Sequence, residues 1–490
     1  MSGATILRSP RAGSPLAVRG RQQLEAYFEA VVAYEAARER AKLAAGQHHA
    51  WEPLHSKADM ALADDGEEEA RARMETAAAA ALIALQTALA ENSGDAVARE
   101  GLADYYWFQC QEAEADELRR GLRMHERLVQ AYDDGKYAER LAGQGSLSLR
   151  SEPTGAAVTI SDLVQDGFVR KLVNERSLGT TPVDKTPLPM GSYVLTVRMP
   201  GFRDVLYPVH IARNTDWDGA LKLYPDAAIG PDFIHVPAGP FILGGDEEGT
   251  HGWALPRRED WADDFFIGRH PVTLGEYLAF LNTLAARDPA EAERRSPRRM
   301  PRGGTYFTPD DDGRFALPAD DTHWRPDLPA FAISWNDAVA YCEWRSQQDG
   351  RQYRLPTELE WEKAARGVDG AWHPWGNRFD PCLCNMRDSR EAGPGPVSIH
   401  EFPTDVSVYG VRGMGGNVRD WTCTEVNDGQ GETPELGFQR WVEAKNTRIV
   451  KGGAWSPLRP RSADRYWLAP DLVFSFIGFR LVAEPFTMSC

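Results

Sequence analysis

Three groups of side chains in this 490-residue sequence have types and spacings that could do chemistry. Cys382 and Cys384 form a C-x-C pair. That is closer than the C-x2-C spacing of a zinc site, and no second pair follows. Cys342 falls on one helix face with Ala338, Tyr341 and Trp344 and reads as a core thiol. Cys110 and Cys423 stand alone. His48, His49 and His55 cluster in a segment that also carries Pro53, so a continuous helical metal face is not expected and a solvated loop is. Arg294, Arg295, Arg298, Arg299 and Arg302 form the densest positive run, readable as a solvated loop or as a dock for an acidic protein. The sequence has no Gly-rich phosphate loop and no His-Arg-Asp or Asp-Phe-Gly in kinase context. Residue type and spacing alone single out no catalytic set.

The elements that must position these groups change character along the chain. Residues 1–20 are rich in Ser, Arg, Gly and Pro and read as a disordered tail. Residues 21–143 carry apolar residues at helical spacing: Leu24, Tyr27, Phe28, Val31; Ala81, Leu82, Leu85, Leu89; Leu102, Tyr105, Tyr106; and Leu118, Leu122, Val129, Tyr132. This predicts antiparallel helical hairpins of the tetratricopeptide type, without a clean 34-residue repeat, serving as a spacer or a peptide groove. Residues 145–224 switch to period two, as in Leu147, Leu149 and Tyr193, Leu195, Val197, which predicts a small all-β sandwich. Residues 230–486 are aromatic and Gly-rich. Three capping boxes announce short helices there: Thr273 with Glu276, Ser334 with Asp337, and Thr357 with Glu360. Pro225 to Pro231 reads as a linker, so the last domain is expected to fold alone. The fold class is thus multidomain: an all-α segment, a β sandwich and an irregular α+β domain.

Fifty-five Lys and Arg against 72 Asp and Glu give a net charge of −17, which argues against nucleic acid as a partner. No run of 18 apolar residues exists, so no membrane helix is expected. Six cysteines and no secretory signal make the cytoplasm the expected compartment.

The stretch from Ser146 to Phe202, with its Glu152–Pro153–Thr154–Gly155–Ala156 run, resembles a PEGA domain, a family without catalytic residues. The last domain resembles the formylglycine-generating enzyme, or sulfatase-modifying factor, family. Its collinear motifs are Phe233 to Phe241, Pro271 to Thr273, Ala332 to Trp335, Arg354 to Glu362, Pro374 to Gly376, Gly416 to Val418 with Trp421, Lys451 to Gly453 with Trp455, and Gly478 to Arg480. The resemblance implies an irregular α+β fold related to C-type lectins. The order of the three modules resembles the C-terminal half of bacterial signalling kinases.

Family oxidase activity needs two cysteines beyond the Gly-Gly-Ser-Trp-like motif as soft ligands for Cu(I). Here Thr424 to Ser489 contains no cysteine, and Ala454 replaces the usual Ser. The resemblance also implies structural Ca²⁺, an ion that takes oxygen ligands. One set would comprise the carbonyls of Gly416 and Val418 and the Asp420 carboxylate, with Gly413 where a side-chain oxygen is expected. A second would begin at Asn385 with the Met386 carbonyl, and Asp388 or Glu391 would supply its carboxylate. The iron site of ergothioneine-type sulfoxide synthases, which share the fold, is not matched by His48, His49 and His55. The family's substrate groove would here be lined by Trp455, Arg459, Arg465, Tyr466 and Trp467, residue types that interfaces favour. The expected function is a non-catalytic regulatory or scaffold protein binding another protein, a kinase or protease of a bacterial signalling or defence pathway. A sulfatase-modifying-class enzyme with an unfamiliar site, and a lectin-like receptor for a small molecule or glycan, are the alternatives.

Overall fold

A computed structural model of the chain describes residues 13–48, 52–115, 121–246, 254–299, 303–318, 324–426, 446–455 and 461–484. The chain divides into two compact units, Met1–Gly143 and Gln144–Cys490.

The first unit is helical: α1 (Pro15–Ala45), α2 (Ala58–Glu91), α3 (Ala96–Ala115), α4 (Leu122–Tyr132) and α5 (Ala138–Ala142). The Ala-rich end of α2 lets α1 approach closely and antiparallel, with Leu85 buried against Ala17 and the α3 residue Leu102. A Cβ on Gly20 would lie 2.7 Å from the Leu85 side chain, so this crossing requires glycine. The Asp95 carboxylate accepts from Val97 and Ala98 at the start of α3 and from the Ser14 amide at the start of α1. Helices of 31 and 34 residues are each as long as a whole two-helix tetratricopeptide repeat. The first pair is therefore a long helical hairpin and not such a repeat. His48 bonds Glu52 and Asp59, both at 2.8 Å; His49 and Leu118 lie outside the described residues.

The second unit opens with seven strands: β1 (Gln144–Glu152), β2 (Ala157–Asp166), β3 (Val169–Thr180), β4 (Val183–Pro189), β5 (Gly191–Arg198), β6 (Val205–Ile211) and β7 (Asp216–Lys222). They form sheets of order β4-β1-β7 and β3-β2-β5-β6. The two sheets share one core built from the alternating positions, among them Leu147, Leu149, Val158, Ile160, Leu195 and Val197.

After a short helix, α6 (Asp226–Ile229), the α+β domain contains β8 (Phe233–Val236), β9 (Gly239–Leu243), β10 (Arg258–Ala262), β11 (Phe265–Gly268), α7 (Leu274–Ala285), α8 (Pro289–Arg295), α9 (Trp335–Asp349), β12 (Tyr353–Arg354), α10 (Glu358–Arg366), β13 (Arg419–Val426), β14 (Thr447–Lys451), β15 (Tyr466–Leu468), β16 (Ile477–Gly478) and β17 (Val482–Ala483). Its sheets have orders β10-β9, β12-β17-β11-β8 and β15-β14-β13-β16. All three capping boxes form, each with both reciprocal bonds.

The expected linker at 225–231 is instead packed structure. Ile229 is fully buried in the α+β core, together with Tyr224. Arg203 of the β domain pairs with Asp226 and donates to the carbonyls of Gly230 and Phe233. Among the described residues no helix is long and apolar enough to cross a membrane.

Candidate functional site

The site expected from the sequence sits where β14 runs into Gly452–Gly453. Gly452 has φ of 91°, and a Cβ there would meet the Trp361 ring at 2.8 Å. The turn brings the chain over α10 and admits only glycine. Trp455 follows, half-buried, with its ring edge-on to Phe331 at 5.7 Å. Phe331 in turn stacks on Trp324 and meets Tyr306, so Trp455 closes an aromatic row.

Beneath this turn lies a charged network that the sequence did not signal as buried. Glu362 and Arg366 are one helical turn apart on α10, a spacing normally seen on solvated faces. Here Glu362 Oε1 accepts from Arg366 at 2.6 Å and from the Gly244 amide at 2.7 Å. Its Oε2 accepts from Lys451 Nζ at 2.8 Å. All three side chains are at most 2% exposed. Burial works to raise the Glu362 pKa, but Lys451 and Arg366 outweigh it and hold the carboxylate ionised. Lys451 also lies 3.7 Å from Glu358, and Glu358 is bidentate to Arg465 at 2.6 and 3.1 Å.

The five expected groove residues separate. Arg465 is spent on Glu358 and acts as a fastener of β15 to α10. The Tyr466 ring covers the buried Arg419 guanidinium at 3.7 Å and packs with the core. Trp467, the next residue on the edge strand β15, faces the other way and is half-buried. Arg459 lies outside the described residues. Trp455, half-buried, also packs against the core beside Phe331, and Trp467 is the expected aromatic that the core cluster does not include.

Asp464 and Arg419 are further groups at this site, unmarked in the sequence. Burial pushes the Asp464 carboxyl up to about 6, against the opposing pull of Arg419. A carboxyl raised above its unfolded value near 3.9 stabilises most fully below that value and loses the contribution as pH rises through its folded pKa. The Asn variant of Asp464 has no such loss. Relative to the native chain, Asp464→Asn should gain about 2–3 kcal/mol between pH 4 and pH 7, measured by denaturant unfolding. A pH-independent difference would reject this.

At the first calcium set the Asp420 carboxylate is engaged on one oxygen only: its Oδ1 is buried without a hydrogen-bond partner. Asp420 Oδ2 accepts from Arg480 Nε at 2.5 Å and from Trp361 Nε1 at 2.8 Å. Arg480, fully buried, also donates to the carbonyls of Arg412 and Gly413. A guanidinium thus already supplies positive charge to the carboxylate expected to bind the metal. At the second set, Asn385 Oδ1 is buried without a hydrogen-bond partner, as a ligand oxygen would be, and Met386 is buried beside it. Asp388 and Glu391 are exposed. Among the described residues, no group of three His, Cys, Asp or Glu side chains could hold a metal. Cys342 and Cys384 are buried, and burial raises both thiol pKa values, which suits inert core thiols.

Of the described arginines of the run, Arg295 and Arg298 turn inward, whereas Arg294 and Arg299 are exposed. Arg295 and Arg298 both reach Asp337, Arg294 pairs with Glu291, and Arg299 lies over the Tyr306 ring. Arg302 lies outside the described residues. Arg295 and Arg298 fasten α8 to the N-terminus of α9, where Ser334 is the N-cap and Asp337 the reciprocal member of the capping box.

Comparison with known proteins relates the chain to one family by sequence. Residues 222–485, more than half of the chain, match the family model described as sulfatase-modifying factor enzyme 1-like domain, and residues 171–225 match the PEGA domain. The chain is 29% identical over 279 residues to the mouse (Mus musculus) protein named inactive C-alpha-formylglycine-generating enzyme 2, covering 52% of this chain and 86% of that one. It is 35% identical over 182 residues to the formylglycine-generating enzyme of Thermomonospora curvata, covering 33% and 57%. It is 30% identical over 275 residues to the hercynine oxygenase of Mycolicibacterium smegmatis, covering 51% and 60%. The solved structure of PvdO from Pseudomonas aeruginosa is 25% identical and covers 53% of this chain and 97% of its own, with a TM-score of 0.38. By the family match over more than half its length, and by the motifs that build the turn at Gly452–Gly453, the chain belongs to the sulfatase-modifying factor family.

Proposed function

We propose that the chain is a non-catalytic protein-binding or regulatory scaffold protein built on a sulfatase-modifying factor domain, acting on a partner protein of a signalling or defence pathway. The observation that carries this reading is the stretch after Gly452–Gly453. It offers no thiol from Thr424 to Ser489, and Cu(I) needs soft thiolate ligands there. The similarity to a relative named as inactive supports the same reading. What remains at the turn is recognition surface. Trp455 and Trp467 are half-buried aromatics on a rigid base of buried ion pairs, a combination suited to interface hot spots.

Two measurements test the proposal. Incubation with a sulfatase-type Cys-containing peptide, copper and oxygen should give no aldehyde product by mass spectrometry above a protein-free control. Affinity capture from the native host with the full chain should retain a partner that Trp455→Ala plus Trp467→Ala loses by about 2 kcal/mol or more, with little change in thermal midpoint. Aldehyde formation, or capture indifferent to both tryptophans, would reject the reading.

A further inference from the structure

A further concavity on the α+β domain joins an exposed tryptophan to carboxylates. A groove of about 300 Å³ runs between the end of β10, the N-terminus of α10 and the end of β17. Trp261 forms one wall. It is 57% exposed, and Trp261 and Phe168 are the large aromatics left so exposed among the described residues. The Trp261 ring is nevertheless held, because its Nε1 donates to Asp263 Oδ1 at 3.0 Å. A fixed, solvent-facing tryptophan exposes apolar area to water unless something covers it.

The other walls are acidic. Asp263, Asp264, Glu360 and Glu484 line the groove against one cation, Arg354, an excess of three negative charges. Arg354 is already engaged, bidentate to Glu360 at 2.6 and 2.7 Å and 3.5 Å from Glu484. Asp264 accepts from the Ala238 amide and pairs with His235 at 2.6 Å. Asp263 and Glu484 are exposed, facing solvent.

We infer that this groove docks a Lys- or Arg-bearing segment of a partner protein, with one cationic side chain against Trp261 and among Asp263, Asp264 and Glu484. Tryptophan is the best aromatic partner for such a cation, and desolvation beside fixed carboxylates strengthens the contact. The occupant is set by charge complementarity: an acidic segment would meet the groove's excess negative charge, and a purely apolar one would leave its carboxylates unpaired.

The test uses calorimetry on the full chain with a capped lysine–alanine peptide of about twelve residues. Because the whole protein is acidic, the control is a variant with the same loss of charge elsewhere, Asp311→Asn plus Asp312→Asn, two exposed aspartates. Trp261→Ala, and separately Asp263→Asn plus Glu484→Gln, should each weaken binding by about tenfold or more, and the control by less than about twofold. Unchanged thermal midpoints would show that the variants are folded. Equal weakening in groove and control variants would reduce the effect to the general field of the protein and overturn the proposal. Spermidine binding as tightly as the peptide, and lost in the same variants, would overturn it in favour of a small polyamine. Neither result depends on Trp455 or Trp467, so the proposed turn surface stands or falls separately.

Discussion

Glu362→Ala should destabilise the second unit by about 3–5 kcal/mol and lower its thermal midpoint by roughly 6–10 °C. The carboxylate is 1% exposed and is the shared acceptor of Arg366, Lys451 and the Gly244 amide. Removing it takes from the buried Arg366 the carboxylate it pairs with and leaves Lys451 with only the more distant Glu358, at 3.7 Å. Burying an uncompensated charge costs far more than a well-formed buried pair contributes, so the loss should exceed what truncating an exposed Glu does. The same logic fixes a control. In Glu362→Ala plus Lys451→Met, one of the two cations is gone, and the double variant should be more stable than the sum of the single variants by about 1 kcal/mol or more. Because Lys451 leads directly into Gly452, loss of the network should also raise hydrogen exchange at the Gly452–Gly453 turn. Additive single effects would mean that the three charges act independently. A loss under about 1 kcal/mol would mean that solvent reaches Glu362.

This network also marks where sequence reading stops. The three capping boxes were legible because a cap is a local device, with both partners three residues apart. The α+β domain was legible because its motifs are short, collinear and many. The alternation in Leu147 and Leu149, or in Leu195 and Val197, was legible because one buried sheet face imposes period two. Burial of Glu362, Lys363 and Arg366 was not, since the string ELEWEKAAR gives the same periodicity whether its charged face meets water or other charges. Lys363 illustrates the point: its Nζ donates to the carbonyls of Pro237, Gly239 and Ala262, partners more than a hundred residues away. The metal reading met the same limit. Asp420 stands where a calcium carboxylate is expected, and that its Oδ2 faces an arginine depends on Arg480, sixty residues on. Likewise, a Pro-bounded stretch such as 225–231 has linker composition, and only the tertiary structure places Ile229 in the core.

The packed junction between the β domain and the α+β domain leads to the second large effect. Asp369→Ala should cost about 3 kcal/mol and make the junction cleavable by protease. Asp369 accepts from Arg170 Nη1 at 2.8 and 3.0 Å and from Ser192 Oγ at 2.6 Å. Both donors belong to the β domain, on β3 and β5. Burial works to raise the Asp369 pKa, but Arg170 and His210 outweigh it and bring the carboxyl down to about 2. A depressed carboxyl contributes stability that is present above its unfolded value near 3.9 and is lost as pH falls through about 2. The clasp should therefore hold at neutral pH and fail only in strong acid. Its neighbours reinforce it. The Arg170 amide donates to the Trp375 carbonyl at 2.8 Å, and Gly376 lies so close that a Cβ would meet Gln165 at 2.6 Å. Native protein treated with thermolysin should accordingly resist cutting at 225–231, although that stretch has the composition of a linker. Asp369→Ala should release a fragment beginning near residue 225, and Arg170→Ala should do so as well, because it leaves the Asp369 carboxylate without its cation. Ready cleavage of the native chain at 225–231 would show that the contacts on Asp369 do not join the two domains in solution. Resistance in both variants would assign the junction to Tyr224, Ile229 and Arg203, which pack the same boundary from the other side.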